Sequence, residues 1–300
     1  QIPPFPPLLK WGMGGVYGIQ HHYAHIGSVM AEHGLKSKVI GVAFDGTGYG
    51  TDGNLWGGEF LVADINGFER IGHFRYMPLP GGESAIREPW KTAVSYVVSS
   101  LEDKGKALEC LDEIGFIGKY GIDNIERIIK IIDTREFSPL SSGAGRLFDA
   151  VSAIIGLCDR NTFEGEAAMA LESLTEDGVY DDYPADLHMT DNKIVIDFSL
   201  SIISIIKDLT DNRDRREIAA KFHNTVCNVI LKTVKGIADN YGISDVALSG
   251  GTFQNLYLLE RTRTGLMSEG MNVFINEKVP CNDGGISLGQ AYIVRERLNG

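Results

Sequence analysis

The sequence predicts an α/β protein whose sheets are covered by helices. Strand candidates alternate with helix candidates along the chain, and several of the strand candidates are continuous apolar runs, as expected for strands buried on both faces. The composition agrees, because 43% of the 300 residues are hydrophobic and 23% are charged, which is ordinary for a globular protein with a sizeable core.

The predicted elements begin with a linker over residues 1–15, where four prolines prevent helix formation. A helix follows over residues 19–33, with Gly34 as its C-terminal cap. Three strands then form a predicted meander over residues 38–44, 55–63 and 68–76.

The remaining two-thirds of the chain is predicted to be mainly helical, with further strands. Helices are predicted near residues 88–100, 102–115, 122–132, 146–157, 164–175, 214–239, 253–268 and 285–298. Strands are predicted at residues 193–198, 245–248 and 272–275. A Ser- and Gly-rich segment at residues 135–145 suggests a division into a first lobe, residues 16–140, and a second lobe, residues 141–300.

Charge and cysteine content weigh against several classes of function. Lys and Arg number 28 against 40 Asp and Glu, and the net charge of −12 disfavours a broad surface for nucleic acid or an anionic membrane. The four cysteines form no C-x-x-C pair, which argues against a structural zinc site made from them. Neither a signal peptide nor a membrane span is recognisable, so a cytoplasmic protein with reduced thiols is expected.

Histidines cluster at the start of the first predicted helix, in the run Gln20-His21-His22-Tyr23-Ala24-His25. Positions i and i+4 share one face of a helix, so His21 and His25 can bind one ion, and His22 points away from that pair. The alternative is a chance cluster on a solvated face. Two histidines do not complete a metal site, so oxygen ligands are needed from elsewhere.

Two glycine-rich segments follow predicted strands. The run at residues 44–53, FDGTGYGTDG, can either approach a phosphate and a metal or form a hairpin between two strands. The run at residues 246–255, VALSGGTFQN, places bare amides and a helix N-terminus at the carboxyl end of a strand, where anions bind. A tight turn without a ligand is the alternative for this second run.

Acidic residues lie at three further junctions. Asp283, in the run at residues 280–289, is either a helix N-cap or a metal carboxylate. Asp149 and Glu164 are residues of the kind that bind ribose hydroxyls or a carbamoyl amide, but acidic residues are also ordinary helix caps.

Seven stretches occur in the order in which one known family has them. They are QHHYAHIGSVMAEHGL, VIGVAFDGTGYGTDGNLWGGEFLVAD, RIGHFRYMPLPGGESAIREPW, GAGRLFDAVSAIIG, FEGEAAM, LSGGTFQN and CNDGGISLGQA. From about Tyr17 onwards the sequence resembles the carboxyl-terminal domain of the HypF family of hydrogenase-maturation carbamoyltransferases. That domain is similar to the TsaD-type threonylcarbamoyl transferases, and the resemblance implies a two-lobed actin/Hsp70-like ATPase (ASKHA) architecture.

The resemblance also implies a binding site. It implies a divalent metal, iron or zinc, held by His21, His25 and Asp283 with Asp45 as a fourth contact, and magnesium accompanying a nucleotide. The nucleotide is ATP, AMP or carbamoyl-adenylate. The residues for which nucleotide contacts are implied are Gly46, Thr47, Gly48, Asp149, Gly165, Gly250, Gly251 and Asn255.

The implied reaction moves a carbamoyl group from carbamoyl-adenylate to the C-terminal cysteine of the partner HypE during NiFe hydrogenase maturation. A YrdC-like domain, in cis or in trans, makes the donor from carbamoyl phosphate and ATP. A metal can act as Lewis acid and backbone amides at Gly250 and Gly251 can donate hydrogen bonds, so no protein nucleophile is needed.

The sequence departs from the family in lacking the upstream acylphosphatase, zinc-finger and YrdC-like domains. Residues 1–15 also do not match the strands that normally precede the histidine helix, so a first lobe truncated at its N-terminus is expected, inactive from carbamoyl phosphate alone. Two alternatives stay open: a non-catalytic nucleotide-binding or partner-docking fragment, and a carbamoyl-type transferase acting on tRNA or a small-molecule hydroxyl.

Overall fold

A computed structural model describes residues 10–11, 14–15 and 17–299 of the chain. Most of the predicted linker, residues 1–15, lies outside the described residues. The part within them consists of two short antiparallel strands, β1 (Lys10–Trp11) and β2 (Gly14–Gly15).

The first helix is α1 (His21–His33), and its bounds follow from its caps. The side-chain oxygen of Gln20 accepts a hydrogen bond of 2.9 Å from the backbone amide of Tyr23, which satisfies one of the free donors at the helix start. The helix ends at Gly34, whose φ of 65° lies in the left-handed region that favours glycine. The predicted helix and its C-terminal cap are therefore confirmed.

One mixed sheet organises the described chain. Its strands are β3 (Val39–Tyr49), β4 (Leu55–Ala63), β5 (Phe68–Phe74), β6 (Met77–Pro78), β7 (Leu140–Ser141), β8 (Asp186–Thr190), β9 (Lys193–Asp197), β10 (Asp245–Ser249) and β11 (Asn272–Ile275). The main order is β11-β10-β3-β4-β5-β9-β8, and β7 pairs with both β4 and β6. The predicted antiparallel meander of β3, β4 and β5 is confirmed, while β10 runs parallel to β3 and β11.

Eleven more helices complete the described structure. They are α2 (Glu83–Arg87), α3 (Pro89–Leu101), α4 (Lys104–Glu113), α5 (Phe116–Tyr120), α6 (Ile122–Ile132), α7 (Ala144–Ile154), α8 (Glu166–Ser173), α9 (Ser199–Thr210), α10 (Arg215–Tyr241), α11 (Leu256–Ser268) and α12 (Ile286–Asn299). Short 3-10 turns at Gly251–Gln254 and Asp283–Gly285 precede α11 and α12.

The two faces of the sheet are covered by different helices. Side chains alternate along β3, so Val39 and Ala43 face α1 and α12, whereas Ile40 and Phe44 face a larger core that includes α3, α7, α9 and α10. Because both faces are buried there, the strand is apolar from Val39 to Phe44, as the sequence pattern indicated.

Helices α1 and α12 approach each other unusually closely. A Cβ atom placed on Gly289 would lie 1.9 Å from the backbone oxygen of Ala24 and 2.7 Å from the backbone nitrogen of Ser28. Only glycine fits at this crossing, and α12 consequently lies directly against the backbone of the helix that carries the histidines.

Some elements differ from the prediction. Strand β3 continues through the glycine-rich run to Tyr49, with an irregular register between Phe44 and Gly48, so the hairpin alternative describes this segment. Helix α9 and strand β8 were not predicted. The predicted division at residue 140 stays a prediction, and strands from both sides of it share the sheet. None of the helices in residues 17–299 combines the length and apolar character that crossing a membrane requires.

Candidate metal centre and adjoining cavities

Four side chains that the sequence singled out come together at one point. His21, His25, Asp45 and Asp283 each offer one ligand atom, and these atoms all lie within 4.8 Å of one another. Nε2 of His21 lies 3.0 Å from Oδ2 of Asp45 and 3.5 Å from Oδ1 of Asp283. Nε2 of His25 lies 3.5 Å and 3.4 Å from the same two oxygens.

Three separate elements position this cluster. His21 and His25 occupy one face of α1, Asp45 follows the apolar part of β3, and Asp283 begins the turn before α12. The capping side chain of that turn is Asn282, whose Oδ1 accepts from the backbone amide of Gly284 at 3.0 Å. The N-cap alternative for Asp283 is therefore wrong, and its carboxylate faces the histidines.

A carboxylate clamp holds the segment that leads to Asp283. Oε2 of Glu32, in the last turn of α1, accepts hydrogen bonds from the backbone amides of Glu277 and Lys278 at 3.1 and 2.7 Å. Its Oε1 accepts from Nδ2 of Asn276 and the backbone amide of Val279 at 3.2 and 3.3 Å. These bonds lower the pKa of Glu32 although burial opposes them. The helix that carries the histidines thus also fixes the loop that carries the second aspartate.

The cluster fits a divalent metal on the chemistry of its donors. His25 is fully buried, yet neither ring nitrogen has a hydrogen-bond partner among the described residues. A buried polar atom without a partner is costly, and a bound ion would supply the missing partner. Two imidazole nitrogens and two carboxylate oxygens suit zinc or iron.

The ionisation of the cluster favours charged carboxylates. Burial opposes the charged form of Asp45, but the hydrogen bond from His21 and the adjacent ring of His25 outweigh it and hold the pKa of Asp45 well below its usual range. Burial alone would lower the pKa of His21, whereas Asp45 and Asp283 raise it overall. Negative charge at this point attracts a cation.

His22 lies outside the cluster, as predicted from its helical position. It is fully buried, and its Nδ1 accepts from Nε2 of Gln20 at 3.1 Å. Burial lowers the pKa of His22 to about 3, so the ring is neutral at physiological pH. It packs near Trp56, with the ring centroids 6.0 Å apart.

Two cavities open beside the cluster. The arginine cavity, of about 750 Å³, is lined by Arg87, Arg146, Arg160 and the backbone around Thr162. The glycine-loop cavity, of about 540 Å³, is lined by Gly251, Thr252, Asn255, Phe148 and Asp149. Asp45, Gly46, Arg146, Glu164, Gly165 and Asp283 line both cavities, which therefore meet at the two aspartates.

The predicted nucleotide contacts are only partly brought together. Gly46 and Gly165 line both cavities, and Thr47 lines the arginine cavity. Gly48 is placed elsewhere, because a Cβ on it would lie 2.5 Å from the ring of His21. A glycine is needed there to make room for the histidines.

The loop after β10 presents one of its two predicted glycines to the cavity. The amide of Gly250 already donates to the backbone oxygen of Cys281 at 2.9 Å, and its φ of 104° requires glycine. Gly251 lines the glycine-loop cavity. Asn255 also lines it, but its Oδ1 caps α11 through the amide of Leu258 and its Nδ2 bonds to Nε2 of His223, both at 2.8 Å.

Asp149 is buried at the inner wall of the glycine-loop cavity. Its Oδ2 lies 2.9 Å from Nη1 of Arg146, which forms an ion pair although the angle does not make a good hydrogen bond. Burial raises the pKa of Asp149 despite this pairing.

Arg146 and Glu32 are the residues that sequence reasoning overlooked. Arg146 lies within the quoted run GAGRLFDA, where only Asp149 was singled out. A charged residue between apolar positions at the start of a buried helix was the available signal. No sequence signal distinguishes Glu32 from an ordinary exposed helix glutamate.

Comparison with known proteins identifies the class of protein to which this fold and this cluster belong. The family model described as "Carbamoyltransferase, Kae1-like Domain, second subdomain" matches residues 41–290. Among curated proteins, "Carbamoyltransferase HypF" of Synechocystis sp. is 38% identical over 283 residues, which are 91% of this chain and 36% of that protein. The "Carbamoyltransferase HypF homolog" of Cupriavidus necator is 35% identical over 285 residues, 92% of this chain and 70% of that protein. The class is thus that of Kae1-like carbamoyltransferase domains.

Solved structures agree with this class. A full-length HypF crystallised in a phosphate- and nucleotide-bound form superposes with a TM-score of 0.87 at 44% identity, covering 94% of this chain and 36% of that one. HypF of T. kodakarensis gives a TM-score of 0.80 at 30% identity, covering 94% and 37%. This chain belongs to the HypF carbamoyltransferase family and has the mixed α/β fold of its Kae1-like domain.

The chain spans about a third of the length of the Synechocystis protein and of the full-length crystal structure. A more distant relation links it to tRNA threonylcarbamoyltransferases. The enzyme of Thermosipho africanus is 25% identical over 175 residues, 56% of this chain and 48% of that protein.

Proposed function

We propose that this domain transfers a carbamoyl group from carbamoyl-adenylate to the C-terminal cysteine thiolate of HypE during NiFe hydrogenase maturation. The sulfur attacks the carbamoyl carbon, the bond from that carbon to the phosphate oxygen breaks, and AMP leaves with the electron pair. The products are a thiocarbamate on the partner and AMP, so atoms and charge balance without an enzyme nucleophile.

One observation carries the proposal. The His21, His25, Asp45 and Asp283 cluster lies where the two cavities meet, so a donor and an acceptor can reach one point from different sides. Transfer between two substrates needs this geometry, because the reacting atoms must come within about 3–3.5 Å of each other.

The four clustered side chains would hold a divalent iron or zinc ion, with magnesium accompanying the nucleotide. A metal bound there supplies Lewis acidity toward the mixed anhydride and neutralises charge on the leaving phosphate. The histidines and aspartates fix its place, and Glu32 keeps Asp283 in reach.

The glycine-loop cavity is the proposed site of the adenylate. Gly251 offers backbone to the phosphate at the start of a helical turn, and Asp149 and Gly165 lie at positions suited to the ribose. A YrdC-like domain, in cis or in trans, would supply the adenylate from carbamoyl phosphate and ATP. The phosphate- and nucleotide-bound relative supports nucleotide binding by this fold.

The proposed architecture is the two-lobed ASKHA type, with the first lobe over residues 16–140 and the second over residues 141–300. In support of this arrangement, β10 pairs with β3, so strands from both proposed lobes meet beside the candidate metal centre. A transferase acting on tRNA is less well supported, since the net charge is −12 and the tRNA enzymes are the more distant relatives.

The test is an anaerobic transfer assay with synthetic carbamoyl-adenylate and a HypE protein that ends in cysteine, followed by mass spectrometry of the partner. Carbamoylated HypE is the expected product. The His21→Ala/His25→Ala double variant should lose both the metal and the transfer, whereas His188→Gln, at an exposed histidine of β8, should retain both.

Equal transfer by the double variant would show that the metal cluster is not needed. No transfer by the metal-loaded wild-type chain, while AMP still raises its melting temperature, would instead favour a nucleotide-binding or partner-docking module.

A further inference from the structure

The arginine cavity carries cationic side chains that the proposed nucleotide site does not use, because Arg87 and Arg160 line this cavity and not the glycine-loop cavity. Three of its lining residues, Arg87, Arg146 and Arg160, are cationic in a chain whose net charge is −12. The cavity also ends at the clustered aspartates, so an occupant would reach the same point as the adenylate from the opposite side.

Arg146 is the buried anchor of this cavity. Its side chain is 9% exposed, and neither Nε nor Nη1 makes a hydrogen bond within the described residues. The carboxylate of Asp149 partly neutralises the guanidinium charge, with 2.9 Å between its Oδ2 and Nη1 of Arg146. The guanidinium reaches the aspartate end of the cavity, since a Cβ on Gly46 would lie 3.1 Å from its Nη2. Buried donors without partners indicate that a ligand atom completes them.

The other two arginines are available to an incoming anion. Arg160 is exposed and forms no salt bridge with any described residue, and Arg87 pairs only with the exposed Glu83. The loop that carries Arg160 is held in place, because Asn161 donates its amide and its Nδ2 to the backbone oxygens of Arg87 and Ile86, at 2.9 and 2.8 Å. The cavity wall is thus held in place, while Arg160 has no ion pair within the described residues and Arg87 has only an exposed one.

We propose that the arginine cavity binds the α-carboxylate of the acceptor's C-terminal residue, with Arg146 and Arg160 as its ligands. The inference rests on the proposed function, in which the acceptor is a C-terminal cysteine. Its carboxylate and its sulfur belong to one residue, so fixing the carboxylate beside Arg146 directs the sulfur toward the aspartate end. Arginine suits this role because its planar fork binds a carboxylate through two parallel hydrogen bonds.

A carboxylate site of this kind would also favour a C-terminal cysteine over an internal cysteine as the acceptor. An internal cysteine presents a neutral amide where a C-terminal cysteine presents a carboxylate. The amide would leave Arg160 without an anion and would add a donor that faces both guanidinium groups. Discrimination between the two acceptors therefore follows from charge alone.

The experiment measures binding without turnover. The acceptor protein is prepared with its last cysteine replaced by serine, which removes sulfur–metal bonding, and in two forms, with a free C-terminal carboxylate and with a C-terminal amide. Calorimetry against the metal-loaded chain should show roughly ten- to a hundredfold tighter binding of the carboxylate form, as expected for charge-assisted hydrogen bonds.

Arg160→Gln should weaken the binding of the carboxylate form and leave that of the amide form unchanged, because only the carboxylate makes the charge-assisted hydrogen bonds that the variant removes. Comparing the two forms in wild type and variant isolates this arginine–carboxylate coupling. Arg160 does not line the glycine-loop cavity, so the affinity for AMP should not change in this variant. Arg127→Gln, at an exposed arginine of α6, is the matched control and should keep the full preference for the carboxylate.

The outcomes separate this inference from the proposed function. Carbamoyl transfer to amidated and free acceptors at the same KM would overturn the carboxylate site and leave the transferase function intact. A carboxylate preference that Arg160→Gln reduces, without any transfer in the separate assay, would support the site and remove the proposed reaction. Equal binding of both forms, or loss of AMP binding in Arg160→Gln, would assign the cavity to another ligand.

Discussion

The carboxylate of Glu32 accepts a hydrogen bond of 2.7 Å from the backbone amide of Lys278, and this bond ties the end of α1 to the loop before Asp283. The helix that carries His21 and His25 and the loop that leads to Asp283 are thereby joined at a point away from these candidate ligands. Residues that orient ligands in this way are often worth 10–100-fold in metal affinity.

Replacing Glu32 should therefore weaken the metal site more than the fold. In Glu32→Ala, loss of the clamp should reduce the affinity for zinc about 10–100-fold and the free energy of unfolding by about 1–3 kcal/mol. Competition with a chromophoric chelator measures the first quantity and urea unfolding the second. Glu109→Gln, at an exposed glutamate of α4, should alter neither, and an unchanged zinc affinity in Glu32→Ala would refute the clamp.

The close crossing of α1 and α12 makes a second prediction. In Gly289→Ala the new methyl would overlap the backbone oxygen of Ala24, at 1.9 Å, and only a shift of α12 could relieve it. The free energy of unfolding should fall by about 1–3 kcal/mol or more, and zinc binding should weaken because Asp283 moves with the helix. Gly236→Ala in α10, where a Cβ meets nothing within 4 Å, should instead be neutral or stabilising. Equal stability of the two variants would contradict the close packing.

Acid should destabilise the protein through His223. Burial lowers the pKa of this ring from 6.5 to about 4, and the neutral Nε2 accepts from Asn255. Between these pH values the unfolded chain binds a proton that the folded chain does not, so stability falls as the pH drops from 6.5 to 4 and is unaffected above it. The loss is about 3 kcal/mol at most.

Urea unfolding from pH 4 to 7 measures this dependence. His223→Gln should show a shallower loss of stability over that range than wild type, since it retains an acceptor for Asn255 without a titrating group. His188→Gln, at an exposed histidine, should follow the wild-type curve. Identical curves for wild type and His223→Gln would exclude the buried imidazole as the cause.

The buried ion pair between Glu59 of β4 and Arg70 of β5 should contribute more to the free energy of unfolding than any surface ion pair. Oε2 of the fully buried Glu59 lies 2.6 Å from Nε of Arg70, and this pairing lowers the pKa of Glu59 against the effect of burial. Arg70→Met leaves an unpaired buried carboxylate and should cost about 3–5 kcal/mol in unfolding experiments.

The double variant Glu59→Gln/Arg70→Met should lose less than the sum of the single variants, because no uncompensated charge remains. Lys130→Met, which breaks an exposed pair with Glu126 in α6, should change stability by about 0.5 kcal/mol or less. Additive losses for Glu59 and Arg70 would show that the two groups act independently.

Much of the fold was predictable because the spacing of apolar residues in the sequence matches the faces that are buried in the structure. The helical spacing of His21 and His25 and the cap at Gly34 follow from α-helix geometry alone. Helix α9 escaped prediction because its isoleucines and serines are poor helix formers. The i, i+3, i+4 spacing of Ile202, Ile205 and Ile206, all buried, was the signal that indicated a helix.

The site was less predictable, because it depends on contacts between distant segments. Asp283 was ambiguous until the capping role of Asn282 was known. For the glycine-rich run after Asp45, the sequence allowed either an approach to a phosphate or a hairpin. Pairing with β4 extends the strand through this run, and Gly48 leaves room for the histidine rings. The arginine cavity has no linear pattern, since Arg87 and Arg160 belong to different segments that meet only in the folded chain.

The distribution of the four clustered side chains along the sequence has a consequence for biosynthesis. His21, His25 and Asp45 leave the ribosome before Asp283, which follows only after most of the described chain has been made. A nascent chain therefore holds three of the four candidate ligands and cannot complete the proposed site until α12 docks on α1. Metal capture is then coupled to the docking of α12 on α1, so metal occupancy can report that this pair of helices has formed.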